Sequence, residues 1–287
     1  MSFGLALAGG GTRGAVHVGV LLALEEAELY PTSIAGTSAG SIVAGLYATG
    51  TSPQSLKEIV LDLSKRGFYY CDIDIAGILK VLPKFIIQHK VTLSGLLKGD
   101  RLEQLFCEHT DGKMMKDTNL RTIIPAVDLI SGDTIAYTNS LDNVQSIERV
   151  QWKTDMPVCQ AMRASSAVPA VFQPKCRDGM CLVDGGLTDV LPVDLLIAAG
   201  EENVLAVDIG DQYEKPKHNN IIDISTHSLS IMGTRLKESH SRGEKLLLHP
   251  NLPEDSGLLT FDEMEECMQI GYETTKESIS AIRAIFT

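Results

Sequence analysis

The stretch Ser33-Ile34-Ala35-Gly36-Thr37-Ser38-Ala39-Gly40 contains a G-x-S-x-G motif between a short apolar strand and a helical run that stops at Gly50. This motif carries a nucleophilic serine when a strand leads into it and a helix follows, which is the context found here. Gly36 and Gly40 let the backbone turn sharply, so that the hydroxyl of Ser38 projects from a strained corner. We predict that Ser38 is a nucleophile and that Gly36 and Gly40 form its nucleophile elbow.

A second glycine-rich loop precedes this motif and lies between an apolar run at residues 3–8 and a helical pattern that begins at Ala15. It matches G-x-G-x-x-G, but a dinucleotide site also needs an acidic residue at the end of the second strand, where this chain has Ala35-Gly36-Thr37. What remains is a loop that exposes backbone N–H groups at a helix N-terminus, which stabilises the negative charge of a phosphate or an oxyanion. Tight packing of strand on helix is the purely structural alternative. We predict an oxyanion hole formed by Gly9, Gly10, Gly11, Thr12, Arg13 and Gly14.

A serine nucleophile needs a base, and the α/β-hydrolase order of serine, then an acidic residue, then histidine fits this chain badly. That fold places several strands before its elbow, whereas Ser38 follows one strand and one helix. The histidines near or after the motifs lie in contexts that do not distinguish them as bases: His17, His218, His227, His240 and His249.

Asp184 is the better candidate base, because Leu182-Val183-Asp184-Gly185-Gly186 places a carboxylate at the end of an apolar strand. A free aspartate, with a pKa of about 3.9, is a weak base. Burial beside Ser38 would raise this pKa and let Asp184 accept the hydroxyl proton. The alternative is a turn-forming aspartate that only ends the strand.

Together, the Gly-Gly-Gly-Thr-Arg-Gly, Gly-Thr-Ser-Ala-Gly and Asp-Gly-Gly motifs resemble those of the patatin-like phospholipase family, in particular its compact bacterial-type members. The resemblance extends to Arg163-Ala164-Ser165-Ser166-Ala167-Val168-Pro169 and the helical C-terminal part. It implies a lipid acyl hydrolase with a Ser–Asp dyad, in which Ser38 is the nucleophile, Asp184 is the base and residues 9–14 form the oxyanion loop. It also implies that no metal and no organic cofactor is required.

Strands alternate with helices along the chain, which predicts an α/β fold with a mainly parallel central sheet covered by helices on both faces. Residues 122–130 and 134–139 read as two strands around a Ser-Gly-Asp turn. We expect one patatin-like domain over residues 1–287, because no repeat or linker divides the chain. Ser52-Pro53 predicts a helix start and Gly67 a helix end, and the sequence Thr260–Glu263 matches a capping box.

Composition excludes some partners. The chain has 25 basic and 37 acidic residues, a formal net charge of −12, so we do not expect nucleic acid as a partner. No apolar run approaches the roughly 18 residues of a spanning helix. The first basic residue, Arg13, follows the apolar start, whereas a secretory signal has its charge first. We expect a cytoplasmic protein that is peripheral at membranes.

The stretch of residues 75–99, from Ile75 to Gly99, contains four lysines and no acidic residue among many apolar side chains. Such a segment fits peripheral contact with a lipid surface or a wall over an apolar substrate site. Ordinary core packing with the lysine heads in water is the alternative.

The six cysteines have neither a zinc spacing nor a secreted disulfide pattern, which favours a reducing compartment. Cys176 and Cys181 bracket a hairpin turn that contains Asp178-Gly179, and they oppose each other at a non-hydrogen-bonded position. Two small apolar strand residues are the simpler interpretation, and a redox-sensitive cross-strand disulfide is the alternative.

The motifs and the resemblance predict a serine lipid acyl hydrolase that cleaves fatty-acyl esters of phospholipids or lysophospholipids through a Ser38–Asp184 dyad and a covalent acyl-enzyme. Two alternatives stay open. One is a carboxylesterase or thioesterase that acts on short soluble acyl groups, and the other is a non-catalytic regulator that binds lipid or protein. The sequence specifies neither the head group nor the oligomeric state.

Overall fold

A computed structural model describes residues 2–77, 94–210, 220–239, 243–254 and 256–286, which form one nine-stranded sheet with helices packed on it. The strands are β1 Gly4–Leu7, β2 Ser33–Gly36, β3 Arg121–Asp128, β4 Thr134–Thr138, β5 Val150–Lys153, β6 Lys175–Arg177, β7 Met180–Asp184, β8 Val204–Val207 and β9 Leu246–Leu248. The α-helices are α1 Ala15–Glu26, α2 Ala39–Ala48, α3 Pro53–Cys71, α4 Asp100–His109, α5 Val158–Ser165, α6 Val193–Ala198, α7 Ile221–Ser239 and α8 Met264–Phe286.

The main path of the sheet has the order β5-β4-β3-β2-β1-β8-β9. Five neighbouring strands from β3 to β9 are parallel, while β4 and β7 each pair with β3 in the antiparallel sense. The carboxyl ends of β1, β2, β3 and β8 therefore lie at one edge of the sheet, which we call the carboxyl edge. In open α/β sheets this edge is where ligands bind.

Side chains alternate between the two faces of the central strands, and each face is buried. Leu5 and Leu7 of β1 belong to a core that also contains apolar residues of α1, α2, α3 and α8. Ala6 lies on the other face, in a smaller core with Val193 and Leu196 of α6. The predicted α/β class, with a mainly parallel sheet covered on both faces, is confirmed.

One predicted helix boundary and one predicted helix cap are wrong. Helix α3 does not end before Gly67 but continues to Cys71. Gly67 is instead needed for packing, because a Cβ there would lie 2.0 Å from a ring carbon of Phe261. The capping box at Thr260 does not form either, because the Thr260 hydroxyl accepts the Gly257 N–H and a short 3-10 turn precedes α8. The predicted cap at Ser52 is confirmed by its bond from the Ser55 N–H, at 3.1 Å.

Part of the predicted basic, apolar stretch, residues 78–93, lies outside the described residues, as do His218 and His240. The described residues on either side of 78–93 are joined by a β-bridge between Ile73 and Leu97. Leu97 forms a second bridge with Phe172. Among the described residues, no helix is both long enough and apolar enough to cross a bilayer.

Four of the six cysteines are paired, and for Cys176 and Cys181 the cross-strand disulfide is present where the simpler interpretation expected unpaired residues. Cys107 of α4 is joined to Cys159 of α5, and Cys176 is joined to Cys181 across the predicted hairpin. The first pair is separated by 52 positions and is brought together by helix packing, which residue spacing does not reveal. Cys71 and Cys267 are free and buried.

These pairings predict a thiol count. Protein purified without reductant and then denatured should titrate two thiols, and the same protein should titrate six after reduction. A Cys267→Ser variant should lower each count by one and thereby calibrate the assay. Six thiols without prior reduction would contradict both disulfides.

Candidate active site

Ser38 occupies the sharp turn between β2 and α2, with φ 52° and ψ −120°. Few residues other than glycine adopt a positive φ, so the surrounding structure must hold this conformation in place. A Cβ on Gly36 would lie 2.1 Å from the Gly40 carbonyl oxygen, and a Cβ on Gly40 would lie 2.3 Å from the Leu7 carbonyl oxygen. The two glycines therefore let the start of α2 approach the ends of β1 and β2.

The Ser38 side chain and backbone are each fixed by a hydrogen bond to a distant segment. Its Oγ donates to Asp184 Oδ2 at 2.7 Å, and its N–H donates to Ser165 Oγ of α5 at 3.0 Å. All three residues are buried. The hydroxyl is thus aimed at a carboxylate, as a nucleophile and its base must be.

Asp184 is brought to Ser38 by the antiparallel pairing of β7 with β3, in which Asp184 lies opposite Ala126. Its second oxygen, Oδ1, accepts the Gly186 N–H at 2.7 Å, so the turn role considered for this aspartate is fulfilled as well. A Cβ on Gly185 would lie 2.4 Å from the Pro125 carbonyl oxygen, so this glycine is required for the close approach of β7 to β3.

The environment of Asp184 makes it a stronger base than a free aspartate. Burial raises its pKa to about 6, while the hydrogen bonds from Ser38 and Gly186 act in the opposite direction. The increase in pKa from desolvation of the charged form is larger than the decrease from the two hydrogen-bond donors. At neutral pH the carboxylate is still mainly ionised and can accept a proton.

The glycine-rich loop lies directly beside Ser38, since a Cβ on Gly9 would be 3.2 Å from Ser38 Cβ. The N–H groups of Gly9 and Thr12 donate to the carbonyls of Val190 and Leu258. Among the described hydrogen bonds, the N–H groups of Gly10 and Gly11 donate to no backbone carbonyl. Within this loop, Gly10 and Gly11 are therefore the candidate donors for the predicted oxyanion hole.

The other members of this loop keep its shape. Thr12 Oγ1 donates to the Gly257 carbonyl at 2.7 Å, and Arg13 Nε donates to the Gly10 carbonyl at 3.2 Å. Gly14 allows the loop to lie against α2, since a Cβ there would be 2.4 Å from Ala39 Cβ.

None of the described histidines has a hydrogen bond to Ser38 or Asp184. His17 is buried and pairs through Nε2 with the Ala8 carbonyl at 2.8 Å. Burial lowers its pKa to about 4, so its ring is neutral. His249 lies 3.6 Å from Asp208, and His227 lies on α7.

An apolar cavity of about 130 Å³ leads from Ser38 into the space between α2, α3 and α4. Its volume is similar to that of an engineered apolar cavity of about 150 Å³ that binds benzene. The lining side chains are almost all aliphatic or aromatic, and they include Leu46, Leu56, Val60, Phe106, Phe172 and Phe261.

Two supporting contacts were not predicted from the sequence. Ser165, which accepts the Ser38 N–H, lies within the stretch quoted above for the family resemblance, but no role was assigned to it. Thr37 Oγ1 donates to the Asp189 carbonyl at 2.8 Å and so ties the nucleophile turn to the segment after Asp184. Among the described residues, no three His, Cys, Asp or Glu side chains are placed to hold a metal ion.

The fold and the buried serine–carboxylate pair define an α/β protein with a candidate serine-hydrolase site. The sequence profile of the family described as Patatin-like phospholipase matches residues 5–197. The chain belongs to the patatin-like phospholipase family, as the resemblance implied.

The curated relatives are longer proteins. The chain is 29% identical over 232 residues to the human patatin-like phospholipase domain-containing protein 6, an alignment that covers 80% of this chain and 14% of the human protein. It is 24% identical over 308 residues to lysophospholipase nte1 of Neurospora crassa, covering 98% of this chain and 18% of that protein.

Among solved structures, VipD from Legionella pneumophila matches with a TM-score of 0.52 and 15% sequence identity. The match covers 98% of this chain and 67% of the VipD chain. At this identity the likeness supports the fold alone.

The close approach at the nucleophile turn predicts a stability effect. Gly36→Ala should lower the free energy of unfolding by about 2 kcal/mol or more, because the new methyl group would overlap the Gly40 backbone. Gly257→Ala is the matched control, since its Cβ would meet only Thr260 atoms at 3.8 Å or more, and it should change stability by less than about 0.5 kcal/mol. Urea unfolding measures both values, and equal stabilities of the two variants would refute the packing argument.

Proposed function

We propose that the protein is a serine lipid acyl hydrolase that cleaves fatty-acyl esters of phospholipids or lysophospholipids. The observation that carries this proposal is the 2.7 Å hydrogen bond from Ser38 Oγ to Asp184 Oδ2 beside an apolar cavity. Family membership supports ester hydrolysis of a lipid, and the name lysophospholipase of the Neurospora relative agrees with it.

In the first step, Ser38 Oγ attacks the ester carbonyl carbon while its proton passes to Asp184. The carbonyl oxygen becomes an oxyanion, and the N–H groups of Gly10 and Gly11 stabilise it. The tetrahedral intermediate then collapses, the bond to the alcohol breaks, and Asp184 returns the proton to the leaving oxygen. The products are the alcohol and an acyl ester of Ser38.

In the second step water is the nucleophile and Ser38 is the leaving group. Asp184 accepts a proton from water as the water attacks the acyl carbonyl, and the same loop stabilises the second oxyanion. Collapse breaks the bond to Ser38 Oγ, which recovers its proton from Asp184. The fatty acid leaves and the enzyme returns to its starting state.

The apolar lining of the cavity supports an acyl group as the part of the substrate that enters it. It begins at Ser38 and continues among apolar side chains such as Leu56, Val60 and Phe106. Burying each methylene of a chain there contributes about 0.8 kcal/mol of binding free energy. A longer acyl chain should therefore bind more tightly until the cavity is filled.

The dyad is tested by Ser38→Ala and Asp184→Asn. Both variants should fold and should lose nearly all fatty-acid release from a phospholipid, a lysophospholipid and a p-nitrophenyl ester, because the nucleophile or its base is missing. A matched control exists on the surface, where Ser140 Oγ donates to Asp142 Oδ2 at 2.9 Å. Ser140→Ala and Asp142→Asn should keep full activity.

Three results would contradict parts of this proposal. Near-normal turnover in Asp184→Asn would exclude the aspartate as the base. Release confined to short esters would replace the lipid hydrolase with a carboxylesterase or thioesterase. No release from any of the three substrates, with all proteins folded, would favour a non-catalytic binding protein.

The raised pKa of Asp184 predicts the pH dependence of the reaction. The base must be ionised, so kcat/KM should be constant above pH 7 and should fall about tenfold per pH unit below a pKa of about 6. The profile of the short soluble ester measures this, with circular dichroism at each pH to show that the protein stays folded. A flat profile between pH 5 and 7 would contradict a base with a pKa of about 6.

A further inference from the structure

Large apolar side chains that are exposed concentrate at the carboxyl edge of the sheet. Of the thirteen such side chains among the described residues, ten lie on segments at that edge. We call these ten the apolar rim: Phe68, Tyr69, Ile73, Ile75, Leu129, Ile130, Ile221, Ile224, Ile231 and Met232. Such a concentration on one side marks an interaction surface, whereas scattered exposed apolar residues are normal.

The rim has three parts, and each is connected by contacts or by chain position to the carboxyl edge. The first part comprises the last turn of α3 and the residues after it. There Gly67 packs on Phe261, and the adjacent Thr260 hydroxyl lies 3.2 Å from that of Thr12 in the glycine-rich loop. The second part, Leu129 and Ile130, is the turn that follows the carboxyl end of β3.

The third part of the rim is helix α7. Its Gly233 lies against Val190 and the Gly186 carbonyl, next to the segment that carries Asp184. Lys237 of the same helix forms an ion pair with Asp208, just beyond the end of β8. Helix α7 is therefore held at the carboxyl edge with Met232 66% exposed.

The remaining three exposed apolar side chains lie at the opposite edge of the sheet. Tyr30 precedes the start of β2, and Leu141 follows the end of the antiparallel strand β4. Ile285 neighbours Phe286, whose ring packs on Phe3 before β1. This edge therefore supplies matched positions for control variants.

The rim is continuous with the apolar cavity. The ring of Phe68, 70% exposed, packs edge-on against Phe261 with a centroid distance of 5.0 Å. Phe261, Gly67 and Cys71 line the cavity itself. The rim and the cavity are therefore linked through the ring of Phe261.

Each part of the rim carries an exposed arginine paired with a carboxylate. The pairs are Arg66 with Asp62 at 3.3 Å, Arg149 with Asp133 at 3.1 Å and Arg235 with Glu238 at 3.3 Å. The polar groups at the rim thus present both signs of charge. A net charge of −12 opposes attraction to an anionic surface.

We propose that the apolar rim docks on a zwitterionic phospholipid surface, with its apolar side chains below the head groups and its ion pairs among the phosphate and choline charges. A flat lipid surface contacts three separated parts at once, whereas a groove-bound peptide would contact one. This inference rests on the proposed function, because docking here would present an acyl ester to Ser38.

The test measures vesicle binding without turnover. In a Ser38→Ala background, sedimentation with phosphatidylcholine vesicles is compared for the parent, for Ile130→Ser with Met232→Ser, and for the control Tyr30→Ser with Leu141→Ser. The rim variant should bind at least about tenfold more weakly, because two large apolar contacts are lost. The control should bind as the parent does.

Several results would overturn docking on this surface. They are equal binding by the rim and control variants, no binding by the parent, or binding that requires phosphatidylglycerol and disappears in high salt. A change in oligomeric state of the rim variant, seen by light scattering without any change in vesicle binding, would assign the rim to a protein interface instead.

The same variants with Ser38 restored separate this inference from the proposed function. Hydrolysis of a short soluble ester should be equal in the parent, rim and control proteins, which also shows that they fold. Ester hydrolysis without vesicle binding would refute docking alone. Vesicle binding that depends on the rim, without hydrolysis of any ester, would support docking and refute the proposed function.

Discussion

The strained backbone of Ser38 depends on how closely α2 can approach the ends of β1 and β2. A residue with this φ value stores about 1–3 kcal/mol, so neighbouring contacts must offset that energy. The Gly40 N–H donates to the Thr37 carbonyl, and the Ser38 N–H donates to Ser165. A side chain at position 36 or 40 would overlap the backbone of Gly40 or of Leu7 and would disturb the turn that makes these bonds. The direction of the serine hydroxyl is therefore a consequence of backbone packing.

The second half of the site depends on a departure from a purely parallel sheet. Strand β7 pairs with β3 in the antiparallel sense, and it enters from beyond the carboxyl edge and runs inward until Asp184 faces Ser38. Burial then raises the pKa of Asp184, so the same pairing that places the carboxylate also tunes its basicity.

The local motifs and the alternation of strands with helices were readable from the sequence, because a turn that needs glycine and an apolar strand leave direct marks on residue choice. Contacts that join distant segments could not be read from the sequence. Gly67 was interpreted as a helix end, because a glycine is common there. Glycine is instead needed at this position because the ring of Phe261, from another element, leaves no space for a side chain. The Cys107–Cys159 pairing and the bond from Ser38 to Ser165 depend in the same way on where α5 packs. The apolar rim escaped detection because an exposed isoleucine and a buried one look alike in a sequence.

Ser38 and Asp184 are 146 positions apart in the chain. At a synthesis rate of about 5–20 residues per second, the ribosome needs on the order of 10 s to add the residues between them. During that interval the nascent chain carries its glycine-rich loop and its serine but no carboxylate partner. Any hydrolytic competence therefore has to wait until β7 has been made and has paired with β3, a contact of high sequence separation that forms slowly. The order of the motifs therefore delays the Ser38–Asp184 hydrogen bond until the fold that contains it is largely complete.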